Sequence, residues 1–134
     1  MATFNKFNSF IDAVTKKQHN LGTDQLVVFL TNTAPVATNT QLSNITEVSY
    51  TNCSSRNITS STSASSGTTS ITLTDITLTA SGGTVGPFQY IGVYNDAATN
   101  DELVGWYEYP GGSITLADGE SLAIDFATAS LTFE

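Results

Sequence analysis

The run Val85-Gly86-Pro87-Phe88-Gln89-Tyr90-Ile91-Gly92-Val93-Tyr94-Asn95-Asp96, answered by Leu103-Val104-Gly105-Trp106-Tyr107-Glu108-Tyr109, constrains this chain more than any other stretch. Aromatic and β-branched residues dominate both halves and suit a pleated, half-buried surface. The polar linker Asn95 to Asp101 lets the chain turn in water, so the two runs read as a β-hairpin. Alternation puts Phe88, Tyr90 and Tyr94 on one face and Ile91 and Val93 on the other. Trp106 opposes Tyr107 and Tyr109 in the same way. Apolar groups on both faces require two covers, the domain's own core and a second layer or a partner. Gly92 and Gly105 leave room for a neighbour's ring or backbone.

The rest of the chain is read around that hairpin. Residues 4 to 20 predict a helix, because Phe4, Phe7, Phe10, Ile11 and Val14 recur at three- and four-residue steps and form one apolar stripe. Asn8 or Asn5 can cap its start. Lys16, Lys17 and His19 sit at the negative end of the dipole, and Gly22 supplies a left-handed stop. Residues 1–22 are thus an amphipathic helical arm, and 23–134 an antiparallel β domain. Gln25 to Thr31 predicts a buried strand, with Leu26, Val28 and Leu30 on one face and Val27 and Phe29 on the other. Pro35 ends it, lacking the amide a ladder needs. Val36 to Leu42 is a polar connection, and Ile45 to Tyr50 a weak strand.

Residues 51–70 are rich in Ser and Thr and poor in apolar groups, which predicts a long mobile loop with a short strand near Ile58. Ile71 to Ala80 predicts a strand whose apolar phase slips by one, absorbed by a bulge near Thr74-Asp75. Gly82-Gly83 turns the chain into the aromatic hairpin. Ser113 to Phe126 predicts a second hairpin around Ala117-Asp118-Gly119. A three-residue loop keeps Ile114 and Leu122 paired on the core side, with Gly119 left-handed. Leu131 to Phe133 closes the sheet. No helical pattern follows residue 20, so βαβ units are excluded. The expectation is a mainly β fold, an antiparallel β-sandwich or flattened barrel of seven or eight strands with one N-terminal helix.

Charge narrows the function classes. Only 12% of the 134 residues are charged, the net charge is −8, and all four basic residues lie at or before Arg56. An acidic β region repels phosphate, so nucleic acid is not an expected partner. Cys53 is the single cysteine, so no intrachain disulfide forms. The start lacks an apolar core of signal-peptide length, and no run has membrane-spanning length, so a reducing cytoplasm is the expected site of synthesis. The sequons at Asn44, Asn52 and Asn57 then read as chance matches.

Chemistry has few places to reside. A Ser-His-Asp triad would need His19, which is expected at the surface, and no nucleophile elbow accompanies it. Cys53 near Arg56 could in principle have a lowered pKa, but a lone Cys in a Ser-rich stretch reads as unreactive. Asn95, Asp96, Asn100, Asp101 and Glu102 are oxygen ligands without the calcium-loop order, and read as a solvated hairpin tip. Asp118, Glu120 and Asp125 do not read as a converging glycosidase pair. No catalytic residue, metal or cofactor is therefore expected. Two apolar hairpin faces plus the Phe stripe instead predict self-association, with an interface drawn from the helix stripe and from Trp106, Tyr107 and Tyr109.

Asn20-Leu21-Gly22-Thr23-Asp24 followed by Leu30-Thr31-Asn32-Thr33-Ala34-Pro35 resembles the start of small structural proteins of tailed bacteriophages. Gly86-Pro87-Phe88-Gln89-Tyr90, Tyr94-Asn95-Asp96, Gly105-Trp106 and Thr115-Leu116-Ala117-Asp118-Gly119-Glu120 extend the resemblance over most of the chain; it fades in 51–70. It implies a virion protein, foremost a capsid decoration or cement protein. Such a protein sits on the outer surface of the head and binds the major capsid protein, often as a homotrimer, without catalytic residues. A tail or fibre protein with a carbohydrate- or receptor-binding role is the alternative.

Overall fold

The computed structural model describes residues 3–126 and 131–133; the outermost residues of the two expected segments, 1–2 and 134, lie outside that range. Twelve strands and one α-helix run in the order β1 (Asn5–Lys6), α1 (Ser9–Thr15), β2 (Leu26–Thr31), β3 (Asn57–Ile58), β4 (Ser60–Ser65), β5 (Thr68–Leu73), β6 (Ile76–Thr79), β7 (Val85–Phe88), β8 (Tyr90–Asn95), β9 (Leu103–Glu108), β10 (Ile114–Leu116), β11 (Ser121–Ile124) and β12 (Leu131–Phe133). All pairings are antiparallel. They form a five-stranded sheet β1-β9-β8-β2-β3, a three-stranded sheet β12-β5-β4, and the pairs β10-β7 and β11-β6. The fold is mainly β and sandwich-like, with an N-terminal helix, as the patterning predicts.

The five-stranded sheet is the middle of the molecule because its centre is apolar on both faces. Leu26, Val28, Leu30, Ile91, Val93 and Val104 enter the larger core, which also takes Phe10, Ile71, Leu73, Leu78, Val85 and Phe88. Val27, Phe29, Tyr94 and Leu103 enter a second core with Phe7, covered by Leu42, Ile45 and Trp106. The faces of β2 are those its alternation predicts. The second cover is the chain's own segment, so the apolar second face does not require another subunit.

Its long strands also have closed edges. The outer backbone of β9 is taken by β1, by the Phe7 amide (3.2 Å to the Val104 carbonyl) and by the Thr40 carbonyl (3.1 Å from the Leu103 amide). Beyond β3, the outer edge of β2 is met by irregular chain. The Val28 amide donates to the Arg56 carbonyl (2.9 Å), the Leu30 amide to the Tyr50 hydroxyl (2.8 Å), and the Val48 amide to the Leu30 carbonyl (3.0 Å). The Arg56 guanidinium donates to the Val28 carbonyl (2.6 Å) and lies 3.5 Å over the Tyr50 ring. Ile45 to Tyr50 therefore forms no strand; its out-of-phase apolar residues leave side chains and single amides to satisfy β2.

Several expectations are corrected. The helix is seven residues, not 4–20. Phe4 and Phe7 are three apart, which aligns them on a helix but opposes them across an extended chain. The open edge of β9 takes the extended option, with Asn5 opposite Trp106 and Lys6 opposite Gly105. Phe4 then packs on Tyr107 (ring centroids 4.9 Å apart) and Phe7 on Trp106 (4.5 Å), on opposite faces. Asn8 stands at the N-cap without a side-chain cap bond, and the left-handed residue after the helix is Lys17 (φ 63°), not Gly22.

Residues 57–73 form strands rather than a loop. Ser66 and Gly67, both at positive φ, make the two-residue turn of a β4–β5 hairpin, and Ile71 and Leu73 anchor it in the core. The slip near Thr74-Asp75 is a change of sheet: β5 pairs with β4 and β12, whereas β6 pairs with β11. Gln89 marks a second such change, so β7 joins β10 and only β8 pairs with β9. Phe88 accordingly lies in the larger core, apart from Tyr94. β10 and β11 do not pair with each other, so the expected Ile114–Leu122 pairing is replaced by Ile114 opposite Phe88 and Leu122 opposite Leu78.

The turn between them is nonetheless as expected at Gly119, which has φ +88° with open space where a Cβ would stand. Its amide donates to the Ala80 carbonyl (2.8 Å), and Asp118 Oδ1 accepts the Gly82 amide (2.9 Å). Gly119→Ala should therefore cost about 1 kcal/mol through backbone strain alone, read as a lower urea midpoint with an unchanged slope.

Candidate functional site

The expected interface residues separate into buried and accessible sets. Phe7 and Phe10 are wholly buried, so they belong to the cores and not to an outer face. Phe4, Val14, Trp106, Tyr107 and Tyr109 are half-buried, and Ile11 is 38% exposed. Tyr107 is held by Phe4 and by Phe126 (5.8 Å between centroids). The expected opposition of Trp106 to Tyr107 and Tyr109 is realised in part: Trp106 packs on the second core, and Tyr107 on the larger one. Pro35 is buried just beyond β2.

Where β9 runs out, an open cleft of about 130 Å³ forms against β11. Tyr107, Tyr109, Pro110 and Leu122 give it apolar walls, and Glu108 and Asp125 stand at its lip. Gln89 Nε2 donates to Glu108 Oε1 (3.1 Å). A ring, a proline and two carboxylates can hold a sugar ring or a partner's side chain by stacking and hydrogen bonding.

His19 is buried, against expectation. The Asn95 carboxamide explains the burial: Nδ2 donates to His19 Nδ1 (2.9 Å) and to Asp24 Oδ2 (2.7 Å), while Oδ1 accepts the Ala97 amide (2.9 Å). Both carboxamide hydrogens are thus used, and His19 Nδ1 is the acceptor, which puts the imidazole proton on Nε2. Nε2 is buried without a partner among the described residues, and the ring lies 5.2 Å from that of Phe10. Burial pulls the His19 pKa below its ordinary 6.5, opposed by the charges of Glu102 and Asp24. The histidine is a neutral structural strut joining the end of α1 to β8.

The acidic loop is not wholly solvated either. Asn95 and Glu102 are buried, and Glu102 accepts from the Asn100 amide (3.2 Å) and carboxamide (3.3 Å), whereas Asp96 and Asn100 are exposed. Burial, then the charges of Asp96 and Glu102, raise the Asp101 pKa. Among the described residues, no three His, Cys, Asp or Glu side chains converge as a metal site. Burial pushes the Cys53 thiol up, partly opposed by Arg56, whose guanidinium is engaged by Val28 and Tyr50. Glu120 accepts the Ala117 amide of its own turn and Asp118 the Gly82 amide of the turn after β6, while Asp125 stays exposed at the cleft.

The His19 strut and the Arg56–Tyr50 patch escape sequence reasoning because their partners are distant or irregular. Asn95 is 76 positions from His19, and no local pattern links them. No helix among the described residues is long and apolar enough to cross a membrane. No family model matches the chain, and neither a curated protein nor a solved structure does.

Proposed function

We propose that this chain is a non-enzymatic virion structural protein of a tailed bacteriophage, a capsid decoration protein. It binds the outside of the major capsid protein shell, stabilises the head, and acts as a homo-oligomer, by resemblance a trimer. The observation that carries the reading is how the reactive side chains are used. His19 is a neutral buried strut, Arg56 completes a strand edge, and Asp118 and Glu120 tie a turn. That is the residue economy of a scaffold, and it agrees with the resemblance of the sequence motifs to those of phage structural proteins. The net charge of −8 and the cleft between Tyr109 and Leu122 provide surface for a protein partner.

Quantitative mass spectrometry of purified particles of the encoding phage tests this. Hundreds of copies per particle are expected of a decoration protein. Absence from the particle overturns the reading. Copies in the tens or fewer favour the second reading, a tail or fibre protein binding carbohydrate, for which the tyrosine-and-carboxylate cleft is the specific argument.

A further inference from the structure

We infer that the outer edge of β4 joins a second copy of this chain by antiparallel strand pairing across a two-fold axis. The inference rests on the backbone and stands independently of the virion reading. The Ser66-Gly67 turn makes Ser65 and Thr68 a hydrogen-bonded pair, so Ser65, Ser63 and Ser61 turn their amides and carbonyls toward β5. The Thr74 amide donating to the Thr59 carbonyl (2.9 Å) continues that phase. Ser60, Thr62 and Ala64 therefore point their backbone groups away from β5, where no described backbone group meets them. The Ser60 hydroxyl donates to the Leu21 carbonyl, a side-chain bond that uses neither of its backbone groups. Beyond Ser60, Ser61 to Gly67 are exposed.

Natural edges are blunted by charge, proline or a bulge, and β4 has none of these. Asn57 to Thr74 contains no charged residue in a chain of net charge −8. Two copies repel through their acidic surfaces and meet at least cost along this neutral ladder. The sequence is also self-complementary. Antiparallel pairing centred on Thr62 sets Thr62 opposite itself, Ser61 opposite Ser63, and Ser60 opposite Ala64. Every facing side chain is small and uncharged, and the outward groups make about six inter-copy hydrogen bonds. The product is one sheet of order β12-β5-β4-β4-β5-β12, an isologous contact.

Sedimentation velocity of the purified full chain over a concentration series tests it, with two variants. Thr62→Pro removes an outward amide that β5 does not use, and Thr62→Lys sets like charges face to face at the axis on an exposed residue that folding tolerates. The wild type is expected to dimerise, and each variant to raise the dissociation constant about tenfold or more while keeping the wild-type circular dichroism. In a Cys53→Ser background, Thr62→Cys should oxidise to a covalent dimer, whereas Thr77→Cys, exposed on β6, should not. A wild type that stays monomeric up to millimolar concentration overturns the inference. So does a dimer or trimer indifferent to both Thr62 variants.

Discussion

Gly92→Ala is expected to destabilise this protein by about 3 kcal/mol or more, a fall in Tm of roughly 10 °C. A Cβ at Gly92 would lie 2.0 to 2.7 Å from three ring carbons of Phe29, directly across the β2–β8 ladder. Phe29 is fully buried at the heart of the second core, so its ring has no solvent to retreat into. Thermal melts check this, and the double variant isolates the cause. Phe29→Leu alone should cost a few kcal/mol for the space it opens, yet combined with Gly92→Ala it should recover much of the loss, the non-additivity of a shared contact. Additive losses would mean that the clash is relieved elsewhere. Gly105→Ala should destabilise as well, because its Cβ would meet both the half-buried Phe4 ring (2.6 Å) and the Asn5 carbonyl oxygen of β1 (2.7 Å), which is backbone and cannot swing aside.

Asn95→Ala is expected to cost about 3 kcal/mol, since it strips a buried acceptor, His19 Nδ1, of its donor, leaves Asp24 Oδ2 with the Asn20 amide alone, and frees the Ala97 amide. The same network sets a pH dependence. With the folded pKa of His19 held below 6.5, both states are neutral at higher pH and the stability is fully present. As the pH falls through 6.5, the unfolded chain binds a proton that the folded chain refuses, so stability declines until the lower folded pKa is reached. Urea midpoints between about pH 7 and pH 5 should therefore fall in the wild type, and His19→Gln should flatten that limb while lowering stability throughout. An unchanged slope in His19→Gln would move the acid sensitivity to the carboxylates.

The parts of this fold that sequence reasoning reached are those decided by two-residue alternation or by a single steric fact. β2 has the faces its alternation implies, Gly92 and Gly105 each receive a phenylalanine ring, Gly119 is left-handed, and Leu131–Phe133 pairs as a closing strand. The parts it missed depend on which sheet a strand joins, about which periodicity is silent. Ile71 to Ala80 and Val85 to Asn95 each read as one strand, yet each changes sheet once, at Thr74-Asp75 and at Gln89. Phe4 and Phe7 fit a helical stripe and an edge strand equally until β9 is in place to accept them. Residues 57–65 bury too little apolar surface to announce themselves, and a backbone ladder holds β4 where side chains cannot. Of the candidate site, the aromatic cluster at the end of β9 was legible. The His19 strut was not, because its partner belongs to the far end of the chain.

The central sheet has consequences for how this protein can vary. Its two faces are packed and the edges of its long strands are occupied, so its residues answer only to one another. A library of single substitutions should divide sharply: little would be tolerated in Leu26–Thr31 and Ile91–Leu103 wherever side chains point inward, and much at Ser61–Gly67, at Tyr109 and around the Asp118 turn. Lineages of such a molecule could exchange partners by rewriting the second set while inheriting the first intact. Recognition would then drift over a framework that stays still, and relatives that share this architecture would differ most where they touch something else.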